Sequence, residues 1–278
     1  MPLTTRDRAE AFQRLHTGDG ILVLVNAWDA ASARLFEEAG SPAIATSSAG
    51  MSWSLGYPDG EQVSLNELLE ACARICRVVT APVSVDLERG YGKTPDEVAA
   101  TVRALLEMGV VGINIEDGLR AGTNELAPPG VLAEKISAIR AVAETAGVPL
   151  FINARTDTYL IPADDPHARF EETIRRAQKY IAAGADGIFV PGLENLDEMA
   201  QLARIITRPL NIYAGYAGLP PVRELRNAGI RRVSLGCGPL QAALALARRI
   251  AGETLKDGTY GVMTADMLSA AETNGLFS

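Results

Sequence analysis

Two apolar runs in the sequence each end in acidic residues. Asp86 and Glu88 close the run 82–92 (PVSVDLERGYG), just before a Gly-Tyr-Gly turn, and Glu116 and Asp117 close a similar run, VGINIED. A buried carboxylate without a partner is costly, so a positive group is expected beside these acids. Carboxylate oxygens and water are the ligands that Mg²⁺ and Mn²⁺ prefer. The two runs therefore predict a site for a hard divalent cation; the alternative is that the acids pair with arginines on a solvated surface.

Further polar residues follow the other predicted strands. The residues at predicted strand ends are Asn26, Ser47, Ser48, Asp86, Glu88, Glu116, Asp117, Asn153, Arg155, Pro191, Asn211, Tyr213, Gly236 and Cys237, and the long second loop adds Asp59. Strand alternation predicts that Asp86 and Glu88, two residues apart, point the same way. Arg155 is the one clear cation of the set. A small 2-oxo acid that chelates the cation through its carboxylate and ketone fits, with Arg155 and backbone N–H groups near 47–49 binding its remaining oxygens.

Residue types that the sequence lacks narrow the chemistry. The four lysines fall outside every predicted strand, which argues against a Schiff-base aldolase with its lysine in the barrel core. His16 and His167 are the only histidines and neither stands at a strand end, so no histidine base and no Ser-His-Asp triad is expected. The remaining option is metal-assisted chemistry in which negative charge develops on a substrate oxygen.

Strand and helix signals alternate through most of the chain. The predicted strands are 21–25, 43–46, the run from 82, 111–117, 149–153, 187–190, 210–213 and 233–235. A leading helix precedes the first strand, and helices starting at the N-caps Asp29, Ser64 and Thr94 follow the first three. Later helices are predicted at 131–146, 166–183, 195–207, up to 228, and at 239–251, whereas 47–60 is predicted as a polar loop.

Eight βα units predict a closed (β/α)8 TIM barrel. A doubly wound open sheet is the alternative. The first βα unit lacks the Gly-rich dinucleotide-binding fingerprint typical of such sheets, which argues against this alternative. We expect a single domain over 1–278, in which 253–278 is a C-terminal helical extension. The barrel has no room for this apolar segment inside, so we expect it to pack on a partner subunit.

Composition sets the expected partners and compartment. The chain of 278 residues is 47% apolar with a net charge of −8, and its pI is near 5.0. This acidity argues against nucleic acid and anionic membranes as partners. The start of the sequence resembles a polar amphipathic helix rather than a leader, no apolar run reaches 18 residues, and three cysteines do not form a disulfide framework. A cytoplasmic protein is expected.

Four motifs together resemble those of the isocitrate lyase/phosphoenolpyruvate mutase superfamily. They are TSSAGMSWSLGYPDG at 46–60, VDLERGYG at 85–92, GINIEDG at 112–118 and NARTD at 153–157. The resemblance implies a barrel with bound Mg²⁺ (Mn²⁺ being possible) and a small carboxylic acid as substrate, with a C–C or P–C bond made or broken beside a pyruvate-type enolate. It also implies a homodimer or homotetramer whose subunits exchange a C-terminal helix.

The resemblance implies roles for individual residues. Asp86 matches the direct metal ligand, Asp59, Glu88 and Glu116 match the acids that hold the metal's waters, and Arg155 matches the carboxylate-binding arginine. Ser47 with the amides of Ser48 and Ala49 matches the oxyanion-binding loop, Tyr91 lies near the substrate, and Asn124 survives from a Lys-Thr-Asn run. We expect catalytic roles for Arg155, Tyr91 and Glu116, and substrate binding by Ser47, Ser48, Ala49, Asp86, Asn124, Arg155 and Asn211. Glu116, Tyr91 and a metal-bound water remain alternative proton donors.

The sequence departs from the superfamily's motifs at several positions, and these departures reduce the number of reactions to be expected. The loop 118–130 (GLRAGTNELAPPG) lacks the Lys-Lys-Cys-Gly-His segment of isocitrate and methylisocitrate lyases. Gly122 replaces the lysine of the phosphonopyruvate enzymes, and Pro191 stands where the mutases have histidine. We expect a Mg²⁺-dependent lyase that cleaves a C–C bond of a small 2-oxo or 2-hydroxy diacid, resembling oxaloacetate decarboxylase or methylisocitrate lyase. The alternatives are a phosphonopyruvate mutase or hydrolase and a non-catalytic binding barrel.

Overall fold

The computed structural model describes residues 3–18, 20–118, 126–163, 165–215 and 218–277. Within these ranges short strands alternate with helices. The strands are β1 Leu22–Leu24, β2 Asn26–Ala27, β3 Ile44–Thr46, β4 Val83–Asp86, β5 Val110–Glu116, β6 Phe151–Arg155, β7 Gly187–Phe189, β8 Leu210–Tyr213 and β9 Arg232–Ser234. The helices are α1 Thr5–Thr17, α2 Ala30–Glu38, α3 Ser48–Ser54, α4 Leu65–Val78, α5 Pro95–Glu107, α6 Pro129–Thr145, α7 Pro166–Ala182, α8 Leu196–Ile205, α9 Val222–Asn227, α10 Gly238–Asp257, α11 Gly261–Thr264 and α12 Ala270–Gly275.

The strands form one nearly closed parallel barrel. β1 pairs with β9 at one end of the strand order, and β2 pairs with β3 at the other. Only Val25 separates β1 from β2, so these are two pieces of one barrel strand, and the chain itself joins the two ends of the sheet. Eight strand positions result, each followed by helix. The predicted (β/α)8 barrel is confirmed.

Local capping signals determine where several helices begin. Asp29, Ser64 and Thr94 each accept a hydrogen bond from the backbone N–H three residues later. These amides have no acceptor inside the helix, so the capping side chains satisfy them. Pro95 then occupies the first helical position, where its missing N–H costs nothing. All three predicted starts are confirmed.

Several predicted elements differ in their bounds from the structure; β6, predicted at 149–153, lies at Phe151–Arg155. The stretch 47–60 is not wholly a loop, because Ser47 caps the short helix α3 by accepting the Gly50 N–H at 3.2 Å. Glycine and serine are weak helix formers, which concealed this helix. α10 continues to Asp257 rather than ending at 251, so it includes the first residues of the predicted extension. β9 begins at Arg232, one residue earlier than predicted.

Helix α1 closes the N-terminal end of the barrel. Phe12 of α1 packs against Leu22, Leu24 and Phe151 in a small apolar cluster. His16 stacks on the Phe151 ring at 3.8 Å between centroids and contacts the Phe12 carbonyl oxygen through Nδ1 at 2.8 Å. Burial, with a smaller contribution from the charge of Arg232, lowers the pKa of His16 to about 3. The imidazole is therefore neutral, and Nδ1–H is the donor to the carbonyl.

The C-terminal helices lie on the outside of the barrel. The backbone oxygen of Leu276 accepts a hydrogen bond from Arg34 Nε at 2.6 Å, so the end of the tail returns to α2 of its own chain. α10 leaves large apolar side chains in solvent, including Leu244 and Leu255. Packing of the tail on a second subunit therefore stays a prediction. Among the helices of the described ranges, none is both long and apolar enough to span a bilayer.

Candidate active site

A small cavity opens where the strands end, at the face on which (β/α)8 barrels carry their active sites. Its volume is about 170 Å³, room for about five water molecules at roughly 30 Å³ each. It is lined by Asn26, Ser47, Ser48, Ala49, Asp59, Asp86, Asn114, Arg155, Leu160, Phe189, Pro191, Tyr213, Ser234, Gly236 and Cys237. A cavity of this size suits a small acid.

Asp86 has one oxygen bound and the other without a partner. Its Oδ2 accepts hydrogen bonds from the Ser48 amide at 3.2 Å and the Ser48 hydroxyl at 2.8 Å. Its Oδ1 is buried and has no hydrogen-bond partner within the described part of the chain. None of the described lysines, arginines and histidines forms an ion pair with this carboxylate. A buried carboxylate oxygen without a partner is suited to bind a cation.

The loop predicted to bind an oxyanion is the N-terminal turn of α3. Ser47, Ser48 and Ala49 all line the cavity. The Ser48 amide, however, donates to Asp86, so it differs from the predicted donor to substrate. The Ser47 hydroxyl accepts the Gly50 N–H, which leaves its own proton available to a ligand oxygen. The turn thus contributes to the wall while it also orients Asp86.

Glu88 lies in a strained turn rather than in β4. The strand ends at Asp86, and Glu88 and Tyr91 have φ values of 49° and 53°, in the left-handed region. The alternation expected for Asp86 and Glu88 therefore does not apply. Neither Glu88 nor Tyr91 lines the cavity; instead the Tyr91 hydroxyl donates to Glu88 Oε1 at 3.1 Å. Both side chains belong to a layer behind Asp86.

Burial and mutual repulsion raise the pKa values of the acids around Asp86. Burial first, and then the charges of Asp59 and Asp86, raise the pKa of Glu88 to about 7. Burial and Asp86 also raise the pKa of Asp59 at the rim, and burial raises the pKa of Glu116 against the opposing effect of Arg155. Carboxylates that repel each other in this way are stabilised by a positive ion between them.

These residues fit a divalent cation held largely through water. Asp86 has a buried oxygen to offer, and Asp59, Glu88 and Glu116 surround it with negative charge. No three acidic, histidine or cysteine side chains of the described ranges already converge on a common point as direct ligands. Mg²⁺ commonly keeps several waters and takes only one or two carboxylates, so this donor set suits it.

Arg155 is held on the cavity wall by two carboxylates. Nε and Nη2 donate to Asp157 Oδ1 and Oδ2 at 2.6 and 3.1 Å. Nη1 lies 2.9 Å from Glu116 Oε2. This contact is an ion pair but not a hydrogen bond, because the N–H group does not point at the oxygen. A guanidinium carries more N–H donors than these contacts use, so donors remain for a substrate carboxylate. Glu116 itself does not line the cavity.

Asp117, predicted beside Glu116 at the cation site, is part of a buried structural network instead. Its Oδ2 accepts from Arg176 Nη1 at 2.9 Å and from the Tyr180 hydroxyl at 2.6 Å. Its Oδ1 accepts the backbone N–H of Asp157 at 3.1 Å, which fixes the residue that clamps Arg155. A direct role at the cation is wrong for Asp117, since its carboxylate is already satisfied on the helix side of β5.

Asn211, predicted to bind substrate, does not line the cavity. Asn211 is fully buried, and its Nδ2 donates to Ser234 Oγ at 3.2 Å, so it supports a lining residue rather than lining the cavity. Asn124 lies outside the described residues, and its contact with substrate stays a prediction.

The wall includes residues that the sequence reading gave no role. Asn114 lies within the motif GINIEDG and Ser234 within a predicted strand, and neither was predicted to line the site. Tyr213 and Cys237 were strand-end residues without a function; their Oη and Sγ atoms lie 3.6 Å apart. The signal for Asn114 and Ser234 was alternation, because each is two residues from another inward-facing polar residue on its strand, Glu116 and Arg232 respectively.

Comparison with known proteins identifies the family. A family model described as phosphoenolpyruvate phosphomutase matches residues 12–255. The chain belongs to the phosphoenolpyruvate phosphomutase family. The predicted membership of the isocitrate lyase/phosphoenolpyruvate mutase superfamily is thereby confirmed. A crystal structure from Burkholderia cenocepacia J2315, provisionally assigned as a lyase or mutase, is similar at 36% identity and a TM-score of 0.88, over 99% of this chain and 96% of that one.

Relatives within the family have several activities. The chain is 38% identical to a protein of uncharacterised function from Mycobacterium tuberculosis, over 89% of this chain and 90% of the relative. It is 32% identical to a 2-methylisocitrate lyase from Aeropyrum pernix (86% and 77%) and 30% identical to an oxaloacetate decarboxylase from Bradyrhizobium (97% and 96%). The family is one of lyases and mutases, which indicates that this member is an enzyme.

Proposed function

We propose that this phosphoenolpyruvate phosphomutase family member is a Mg²⁺-dependent carbon–carbon lyase acting on a small 2-oxo or 2-hydroxy diacid. The observation that carries the proposal is the buried, unpartnered Oδ1 of Asp86 on the same small cavity wall as Arg155. One residue supplies a place for a cation and the other a place for a carboxylate. The relative named oxaloacetate decarboxylase aligns along almost the whole chain, which makes decarboxylation the first reaction to test.

The side chains divide the binding of such an acid between them. Asp86 would hold the cation directly, and Asp59, Glu88 and Glu116 would hold its waters. Arg155 binds a substrate carboxylate with the N–H groups that Asp157 and Glu116 leave available. Ser47 donates its hydroxyl proton to a substrate oxygen. Bound Mg²⁺ supplies Lewis-acid stabilisation of the negative charge that develops on the ketone oxygen.

Bond cleavage in oxaloacetate requires no base. The C3–C4 bond breaks, C4 leaves as CO₂, and its electron pair forms the enolate of pyruvate with negative charge on the C2 oxygen. Arg155 adds positive charge close to that anion, and Phe189 and Leu160 keep this part of the cavity apolar, which strengthens the interaction.

The enolate must then be protonated at C3. Of the alternatives Glu116, Tyr91 and a metal-bound water, the two side chains do not line the cavity. Tyr213 does line it, in contact with the Cys237 thiol. We therefore assign the proton transfer to the Tyr213 hydroxyl, which regains its proton from solvent after the product leaves.

Cleavage of a P–C bond is the second candidate. Pro191 lines the cavity at the position where the mutase motif has histidine, so the wall there offers no side-chain donor to a phosphoryl group. This favours the carbon–carbon reaction. A binding-only role is the third candidate, and it would leave the clamped Arg155 and the protic pair Tyr213 and Cys237 without a reaction to serve.

The proposal includes a cytoplasmic homodimer or homotetramer. α10 presents exposed leucines along most of its length, with Leu244 at 52% and Leu255 at 87% exposure. A 20-residue helix with so little buried surface gains stability when a second subunit covers it.

The test is a screen of 2-oxo and 2-hydroxy diacids with added Mg²⁺ or with a chelator, detecting pyruvate. We expect Mg²⁺-dependent pyruvate release, above the rate of the metal alone, from at least one diacid. Phosphorus NMR of a phosphonopyruvate incubation separates the second candidate. Absence of turnover on the whole panel alongside tight oxalate binding would support the third candidate and refute the lyase.

A further inference from the structure

Asn114 of β5 lines the cavity floor and is held from below by two donors. Its Oδ1 accepts Nδ2–H of Asn153 at 2.9 Å and Nη2–H of Arg232 at 3.2 Å. The residue itself is 4% exposed, and it is a neighbour of Asp86 in the barrel, since the two are register partners across β4 and β5.

The chemistry of Arg232 fixes which way the Asn114 amide points. A guanidinium has only donors, so the Asn114 atom facing it must be the oxygen. The oxygen and nitrogen of an asparagine are hard to tell apart by shape, but here the partner decides between them. The Nδ2 amino group is consequently on the opposite side, and no described side chain or backbone oxygen accepts its protons.

Arg232 lies between the cavity and helix α1, which closes the N-terminal end of the barrel. It is 1% exposed and does not line the cavity. Nε lies 3.4 Å from Ser234 Oγ, and Nη1 is buried without a hydrogen-bond partner in the described ranges. A charged group buried this deeply without an ion-pair partner is costly, so its retention inside the barrel points to a role in the site above it. Its contacts upward, to Asn114 and Ser234, are both with residues of the cavity wall.

We propose that Asn114 is a substrate-binding residue that donates Nδ2–H to an oxygen of the bound acid, and that Arg232 is a positioning residue which holds that amide in its donating orientation. The inference rests on the proposed function for the identity of the ligand. It adds a specificity: the group that reaches the floor is a carbonyl or carboxylate oxygen, because an alkyl or amino group there would leave the Asn114 donors unsatisfied.

The test measures oxalate binding by calorimetry in saturating Mg²⁺, with oxalate as the probe for the planar 2-oxo acid. Asn114→Ala removes the donor, and Asn114→Asp keeps the shape and both hydrogen bonds from below while replacing the amino group with an oxygen. Both variants are expected to raise the Kd of oxalate about 10- to 100-fold, the loss typical of a hydrogen bond to a charged group. Thermal unfolding of each variant confirms the fold.

A double-mutant cycle separates positioning from general support of the fold. Arg232→Met is expected to weaken oxalate binding in the Asn114 background but to add less than about twofold in the Asn114→Ala background. Arg232→Lys, which keeps a donor, is expected to recover part of the affinity. An Arg232→Met effect of the same size in both backgrounds would overturn the positioning role.

Failure of the inference and failure of the proposed function differ in outcome. If the wild type binds oxalate with Mg²⁺ and both Asn114 variants bind it equally well, only the role of Asn114 is overturned. If the wild type does not bind oxalate, the proposed function is refuted, and the inference with it.

Discussion

Glu61 influences the site although its side chain does not reach the cavity. Its Oε1 accepts the backbone N–H groups of Arg89 and Tyr91 at 3.0 Å each, and its Oε2 accepts from Arg89 Nη2 at 2.9 Å. These bonds hold the turn in which Glu88 and Tyr91 have positive φ. Such backbone conformations persist only when surrounding contacts enforce them. At the scale of single residues, Glu61, which lies outside the cavity, therefore determines the position of Glu88.

Replacing Arg155 with lysine tests the carboxylate-binding role. Lysine keeps the positive charge between Glu116 and Asp157 but cannot form the paired N–H geometry toward a carboxylate. We expect kcat/KM for the diacid to fall by about 100-fold or more, with a melting temperature close to that of the wild type. Arg155→Gln serves as the comparison, because it should also destabilise the fold by leaving two buried acids unpaired. Unchanged kinetics in the lysine variant would remove Arg155 from the site.

Replacing Tyr213 with phenylalanine tests the proton donor. The ring stays on the wall and only the hydroxyl is lost, so oxalate affinity should stay within about twofold. The rate of pyruvate formation should fall by about 100-fold, the lower range for loss of a general acid. Tyr91→Phe is the matched control, because its hydroxyl contacts Glu88 outside the cavity. Equal losses in both variants would argue against the assignment of Tyr213.

Helix α1 packs tightly against the N-terminal end of the barrel. Its Phe12 ring would lie 2.5 Å from a Cβ placed on Gly112, so β5 requires glycine at this point of closest approach. His16 completes the plug with a buried ring whose Nε2 has no partner in the described ranges. A polar group kept neutral inside an apolar plug makes this element sensitive to acid.

The pH dependence of stability follows from His16. Because its pKa is about 3 in the folded chain and about 6.5 in the unfolded one, only the unfolded state takes up the proton between these values. Its contribution is complete above about pH 6.5 and is lost as the pH falls toward 3. Between pH 7 and 5 the wild type should lose about 2 kcal/mol more unfolding free energy than His16→Phe. Denaturant curves that give the two proteins the same change in unfolding free energy between pH 7 and pH 5 would contradict this.

The extent of sequence prediction differs between elements for physical reasons. Thr94 and Ser64 could be identified as caps because a cap depends only on the next three residues. Asp86 and Arg155 could be placed at the mouth because parallel strands end at one face. Which acid of a consecutive pair turns inward depends on strand register and on distant partners. Asp117 was misjudged because Arg176, which pairs with it, lies on a helix far along the chain.

Arg232 illustrates the remaining limit. Its role depends on the layering of side chains inside a closed barrel, and the predicted strand began one residue later, at 233. Within β9, alternation places Arg232 on the same side of the strand as Ser234. Because arginine is almost never fully buried unless it is paired, its residue type alone predicts a surface position.

At the scale of the whole molecule, the outer face of α10 exposes several large apolar side chains to solvent. We expect light scattering to give a mass of two or four times the 29.5 kDa of one chain. Leu255→Glu should dissociate the assembly, because it places a charge in the covered apolar face. Ile205→Glu, at an exposed leucine-sized position on α8, is the control and should leave the mass unchanged. A wild-type mass of one chain would refute the oligomer.

The most direct measurement titrates Mn²⁺, as a stand-in for Mg²⁺, into the wild type and Asp86→Asn while electron paramagnetic resonance reports free Mn²⁺. Asparagine keeps the size of the side chain and an oxygen for Ser48 but loses the charge. We expect one site per wild-type chain and an affinity at least about 100-fold weaker in the variant, since loss of an indirect partner alone costs about 10- to 100-fold. Equal affinities in the two proteins would contradict a cation bound by Asp86, and with it the proposed chemistry.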